Sequence, residues 1–196
     1  MTPMTRNLIF TAFMLVMGFV AYRSPAGQAV KANWMLTRAL DGMPMKRVKA
    51  RDIGAGVVSL ELPKGAAQIK DARTSALYYR IDQNVVVSKK KRHLALDVWG
   101  LPIGISGAAD RGQQVGTTLP PPQDLSIGGK KFKTLRTKLP MEWGPYAGRW
   151  AGFYEFEGRG PDVFALAIYY LAGADTDANS ALVERILSSV IVEEIG

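Results

Sequence analysis

The chain has no cysteine and a single histidine among its 196 residues. Without cysteine there is no disulfide, thiolate metal site, cysteine nucleophile or lipidated cysteine anchor. This absence is compatible with an oxidising or a reducing compartment. With one histidine, any triad or histidine metal site would rest on His93 alone. Acidic residues are outnumbered, 17 to 25, and scattered. Glu155 and Glu157 share one strand face, but nothing places a second carboxylate at the separation that glycoside hydrolysis needs. The Gly128–Gly129 pair ahead of Lys130 lacks the spacing and the Ser/Thr of a phosphate-binding loop. No serine has a base other than His93 or a lysine. An enzyme is therefore disfavoured, and no metal or cofactor is expected.

What is present begins with an address. Residues 8–22 are uncharged and strongly apolar, with Leu8, Phe10, Phe13, Leu15, Val16, Phe19 and Tyr22 as the membrane-directed side chains. As a helix this run would span roughly 23 Å, against about 30 Å of bilayer hydrocarbon. That length suits a signal-peptide core, with Arg6 ahead of it and small residues at 24–26 or 27–29 for cleavage. It also suits a short anchor if Arg6 and Arg23 reach the two interfaces. The expectation is export, or an inner-membrane anchor with a periplasmic domain. The basic residues after the run (Arg23, Lys31, Arg38, Lys46, Arg47) argue for the alternative, an anchor whose domain faces the cytoplasm. A buried N-terminal helix is the bland reading.

Residues 1–29 are read as this leader plus a linker, and 30–196 as one α+β domain large enough for a proper core. Residues 30–40 read as an amphipathic helix with Val30, Trp34 and Leu40 on one face and Met35 and Leu36 nearby. Such a helix would pack on the domain or lie on the membrane. Residues 58–62 alternate as a half-buried strand. Residues 77–81 and 85–87 read as two strands joined by a turn at 82–84, and residues 94–98 alternate again. Residues 100–129, rich in Gly and Pro, read as one long loop. Residues 132–139 and 150–157 read as strands, and 163–171 as a central strand covered on both faces. A helix then runs to about Val190, before a short edge strand at 191–195.

The net charge of +8 attracts anionic partners. Lys89, Lys90, Lys91 and Arg92 form the densest basic run, and with Lys130, Lys131 and Lys133 they would make one basic face if the two strands pair. The readings weighed are docking to anionic lipid or an acidic protein, and a solvated edge strand guarded by lysines. Nucleic acid is disfavoured for want of a recognisable module. Trp143, Tyr146 and Trp150 form an aromatic group that would contact a sugar or peptide, or else pack the core.

The C-terminal third resembles the PsbP-like family. The resemblance rests on Ile127 with Gly128 and Gly129, the strand at 150–157, the apolar strand at 163–171 and the closing helix at 181–189. It implies helices flanking an antiparallel sheet as an α/β/α sandwich, here preceded by an N-terminal apolar helix. It also implies a non-enzymatic accessory or assembly factor at a membrane, and it carries over no functional residue. The expectation is an accessory subunit of a membrane or cell-envelope complex, with a membrane and a protein as partners. Its contacts would come from the basic face and the 100–129 loop. The alternative is an exported module binding an acidic or carbohydrate ligand, and a hydrolase is the third reading.

Overall fold

The computed structural model describes residues 23–49, 58–101, 105, 119–156 and 164–192. The expected N-terminal apolar helix, at residues 1–22, lies outside the described residues, as does most of the 100–129 loop. What is described is an α+β fold built on a seven-stranded antiparallel sheet, a second sheet of three strands and two α-helices.

The large sheet joins two meanders. The first comprises β3 (Ala67–Lys70), β4 (Leu77–Val87) and β5 (Lys90–Leu101). The second comprises β6 (Gln123–Ile127), β7 (Lys130–Lys138), β8 (Trp150–Phe156) and β9 (Phe164–Tyr170). They meet along β5 and β9, giving the order β3-β4-β5-β9-β8-β7-β6. Strand β9 is central, as its unbroken apolar sequence predicts, with Ala165 to Ile168 all inaccessible. Strands β1 (Met45–Lys49), β2 (Val58–Pro63) and β10 (Ile191–Val192) form the small sheet.

Helix α1 (Pro25–Asp41) and helix α2 (Thr176–Ser188) bury their apolar sides in one core. There they meet Leu60 and Leu62 of the small sheet and Ile81, Leu94, Leu96, Leu166 and Ile168 of the large one. Each fully buried Leu or Ile contributes about 2 kcal/mol relative to exposure. Both described helices thus lie on the same face of the large sheet. The second face carries a smaller core of Leu135, Leu139, Phe153, Ala167 and Tyr169, covered by Trp143 and Tyr146 from a 3-10 helix (Met141–Tyr146) and by Ile105 and Leu119.

Several sequence expectations change. The stretch 25–29 is not a linker but the first turns of α1. Pro25 occupies a position where its missing N–H costs nothing, and the Ser24 hydroxyl accepts from Gly27 N–H at 3.1 Å. Of the face expected for α1, only Leu40 is buried, together with Leu36, whereas Val30 and Trp34 are 71% and 57% exposed. No turn interrupts 82–84: β4 runs straight through, with Val85 and Val87 inward, and the reversal falls at Ser88 and Lys89. Both have positive φ (49° and 67°), as a two-residue hairpin turn requires. Strands β1 and β3 had no clear period, and β6 lies inside the segment read as loop.

Candidate functional site

Three places on the molecule carry chemistry. The first is the end of the domain formed by the β4–β5 turn and the start of α1. Arg23, Lys31, Lys90 and Arg92 line a half-open cleft of about 400 Å³ there, with Gln28, Met35 and Val87 between them. The Ser88 hydroxyl donates to Met35 Sδ at 2.9 Å, fastening the turn to the helix. Lys89 and Lys91 stand exposed at the turn, beside Val86, which is 61% exposed. On α1, Val30, Lys31, Trp34 and Arg38 recur at helical spacing along the side away from the core. Arg38 lies over the Trp34 ring at 5.3 Å, a cation–π contact on the outer surface. Arg92 is not a free cation. It donates to Asp175 at 2.7 Å, and Asp175 also caps α2 by accepting from Ala178 N–H. Burial pushes the Asp175 carboxyl upward, but those two hydrogen bonds outweigh it and hold the group below its ordinary range.

The two basic segments do not form one face. Strands β5 and β7 are separated by β9 and β8. The register places the β4–β5 turn at one end of the sheet, while Phe132 pairs with Phe156 at the other, beside the β6–β7 turn. Lys131 and Lys133 are exposed at that far end. Lys130 has a structural role, because its ammonium donates to the carbonyls of Ser188 and Val190 and closes the C-terminus of α2. Burial lowers its pKa.

The second place is the aromatic cluster on the sheet's second face, and it divides the expected trio. Trp143 sits 6.0 Å from Phe153 and Tyr146 stacks on Tyr169 at 4.2 Å, whereas Trp150 is half-exposed, in step with Tyr154 and Phe156 on the opposite face. Tyr146 belongs to a network that sequence reasoning missed. Its hydroxyl donates to Asp97 Oδ2 at 2.9 Å and accepts from Trp99 Nε1 at 3.1 Å. Asp97, wholly inaccessible, accepts both arms of Arg80 at 2.8 Å. Tyr78 stacks on Trp99 at 4.2 Å, with the Arg80 guanidinium above its ring. The hydrogen bond to Asp97 raises the Arg80 pKa. Burial, then the Asp97 charge, raises that of Tyr146, keeping the phenol a donor. The alternation at 94–98 was the available signal, because it places Asp97 on a strand face that must also be covered.

His93 has both ring nitrogens engaged, Nε2 by Asp82 at 2.8 Å and Nδ1 by the Gly173 carbonyl at 3.3 Å. The Asp82 hydrogen bond raises its pKa. Neither nitrogen is left to activate a nucleophile. Among the described residues, no three His, Cys, Asp or Glu side chains come close enough to hold a metal. No helix among them is long and apolar enough to cross a membrane.

The third place is a cavity between α2 and strands β6 to β9, lined by residues such as Arg136, Tyr154, Tyr170 and Glu184.

No family model matches this sequence, and no curated protein matches it. Three of the solved structures that match this chain resemble its fold distantly. A protein from Bacteroides thetaiotaomicron matches 77% of this chain at 12% identity and a TM-score of 0.39, and the chain spans about half (49%) of that protein's length. The Ran-binding protein Mog1p of Saccharomyces cerevisiae matches 77% of this chain and 96% of its own at 13% identity and a TM-score of 0.43. A point variant of Mog1 gives 12% identity and the same TM-score, covering 78% and 98%. Likeness at this level carries no functional argument.

Proposed function

We propose that this chain is a non-enzymatic accessory domain held at a membrane, with the α1 and β4–β5 end turned toward anionic headgroups. The single observation behind this reading is where the fold gathers its charge. Arg23, next in sequence after the apolar 8–22 run, lines one cleft with Lys31, Lys90 and the Asp175-paired Arg92; Val30 and Trp34 are exposed on helix α1, and Val86 is exposed with Lys91 on the other face of the hairpin. A domain end mixing cations with exposed apolar side chains suits the bilayer interface, where each cation near an anionic surface contributes about 1 kcal/mol. The opposite end of the sheet, with Lys131 and Lys133, is then left for a protein partner. The accessory role is also what the PsbP-like resemblance implies.

The chain has no native cysteine, so Val86→Cys accepts a single environment-sensitive fluorophore. On vesicles containing phosphatidylglycerol its emission should shift to the blue, less so in high salt. Replacing Lys89 and Lys91 by Gln removes about 2 kcal/mol and should weaken that shift roughly thirtyfold in lipid concentration. A label that stays in water on anionic vesicles refutes this orientation.

A further inference from the structure

The cavity under α2 belongs to neither the basic end nor the aromatic network. Its volume is about 360 Å³, at the small end for ligand pockets. One wall is apolar, from Val183 and Leu187 of α2 with Leu125 and Ile127 of β6. The remaining surface is polar and incompletely satisfied. Tyr170 Oη and Ser180 Oγ share a hydrogen bond at 3.1 Å, and Arg136 reaches Ser180 only at 3.4 Å. The Tyr154 hydroxyl has no hydrogen bond among the described residues, although the residue is 2% exposed. Thr134, opposite Tyr154 in the register and behind the cavity lining, has a buried hydroxyl with no partner among the described residues.

Local sequence supports this arrangement. Tyr154 lies across Gly152, where a Cβ would fall 2.3 Å from the phenolic oxygen, so only glycine at 152 lets the ring take this course. Glu184 follows Ser180 by one helical turn and lines the same cavity as Arg136. Neither Arg136 nor Glu184 has an ion-pair partner within 4 Å among the described residues, where the ion pairs lie elsewhere. One guanidinium, one carboxylate and an apolar wall therefore border one small space. A simple anion would leave Glu184 opposed to it, and a simple cation would do the same with Arg136.

We infer that this cavity binds a small zwitterion, an α-amino acid with a short apolar side chain. The ligand carboxylate takes Arg136 with the Ser180 hydroxyl, replacing the long 3.4 Å contact. Its ammonium takes Glu184, and its side chain lies on Val183 and Leu187. The inference stands independently of the membrane reading, because the cavity shares no lining residue with the cleft at α1 and the β4–β5 turn.

The test is calorimetric titration of the full chain with L-leucine, L-valine and L-methionine. The half-ligands 4-methylpentanoate, which lacks the ammonium, and 3-methylbutylamine, which lacks the carboxylate, are titrated alongside. At least one amino acid should bind saturably, with each half-ligand tenfold or more weaker, since a hydrogen bond to a charged group is worth about a factor of ten or more. Arg136→Gln and Glu184→Gln, both at exposed positions, should each weaken binding about tenfold while leaving the melting temperature unchanged. No saturable binding of any of the three up to about 10 mM, some 2.7 kcal/mol of affinity, overturns the inference. So does a half-ligand that binds as well as the amino acid, or binding indifferent to both variants.

Discussion

The Arg80–Asp97 pair allows a prediction in which the two partners are not equivalent. The pair is bidentate, both contacts at 2.8 Å, and Tyr146 supplies a third hydrogen bond at 2.9 Å. The Asp97 side chain is fully inaccessible while that of Arg80 is 39% exposed. Arg80→Met leaves a carboxylate at the centre of the sheet with only the Tyr146 phenol. Breaking a buried pair this way costs about 3–5 kcal/mol, and the half-open guanidinium side places this case near 3. Asp97→Asn leaves instead a guanidinium that can turn to water, and Asn still accepts from Tyr146. Its cost should be about 1–2 kcal/mol.

Urea unfolding followed by circular dichroism separates the two cases. With a slope of about 2 kcal/mol/M for a domain of this size, Arg80→Met should lower the midpoint by about 1.5 M and Asp97→Asn by about half of that. The decisive measurement is the double variant. Once Asp97 is neutral, losing Arg80 strands no charge, so Arg80→Met with Asp97→Asn should be more stable than Arg80→Met alone. Equal losses in the single variants, or strict additivity in the double, would refute the claim that burial of the carboxylate sets the energetics.

Two further outcomes follow from side chains whose roles the fold redefines. The raised His93 pKa means that its pairing with Asp82 adds stability that is complete below pH 6.5 and disappears as pH rises through the raised value. Asp82→Asn should therefore lower the melting temperature more at pH 5.5 than at pH 8.5, by an amount reflecting less than about 1 kcal/mol because both groups are partly exposed. Lys130→Met should cost about 1 kcal/mol in urea titrations by uncapping α2, whereas Lys131→Met should cost almost nothing, and equal effects would deny Lys130 its capping role.

How much of this was legible depends on whether the determining interaction was local. The apolar run of β9, the alternation of β2 and the stripe of α2 each record burial by neighbours in a regular element, so they can be read from a window of residues. Asp82, Gln83 and Asn84 carry turn chemistry, so a local reading puts the β4–β5 reversal there. Yet their strand places Ile81, Val85 and Val87 inward, and core packing outweighs local preference. The buried face of α1 escapes a local reading for the opposite reason. Trp34 and Val30 look like core residues, and only the position of Leu36 and Leu40 against β4 and α2 shows which side is buried. The sites were least legible because each joins residues far apart in sequence. Asp97 meets Tyr146 across 49 positions and Arg136 meets Ser180 across 44. Two basic runs, at 89–92 and 130–133, likewise suggest a single face, and strand order divides it. Lys89 and Lys131 resemble each other in composition, yet two intervening strands and opposite turns place them at the two ends of the sheet. A charge count treats them as one surface, whereas the topology requires that any two partners they engage approach from opposite directions.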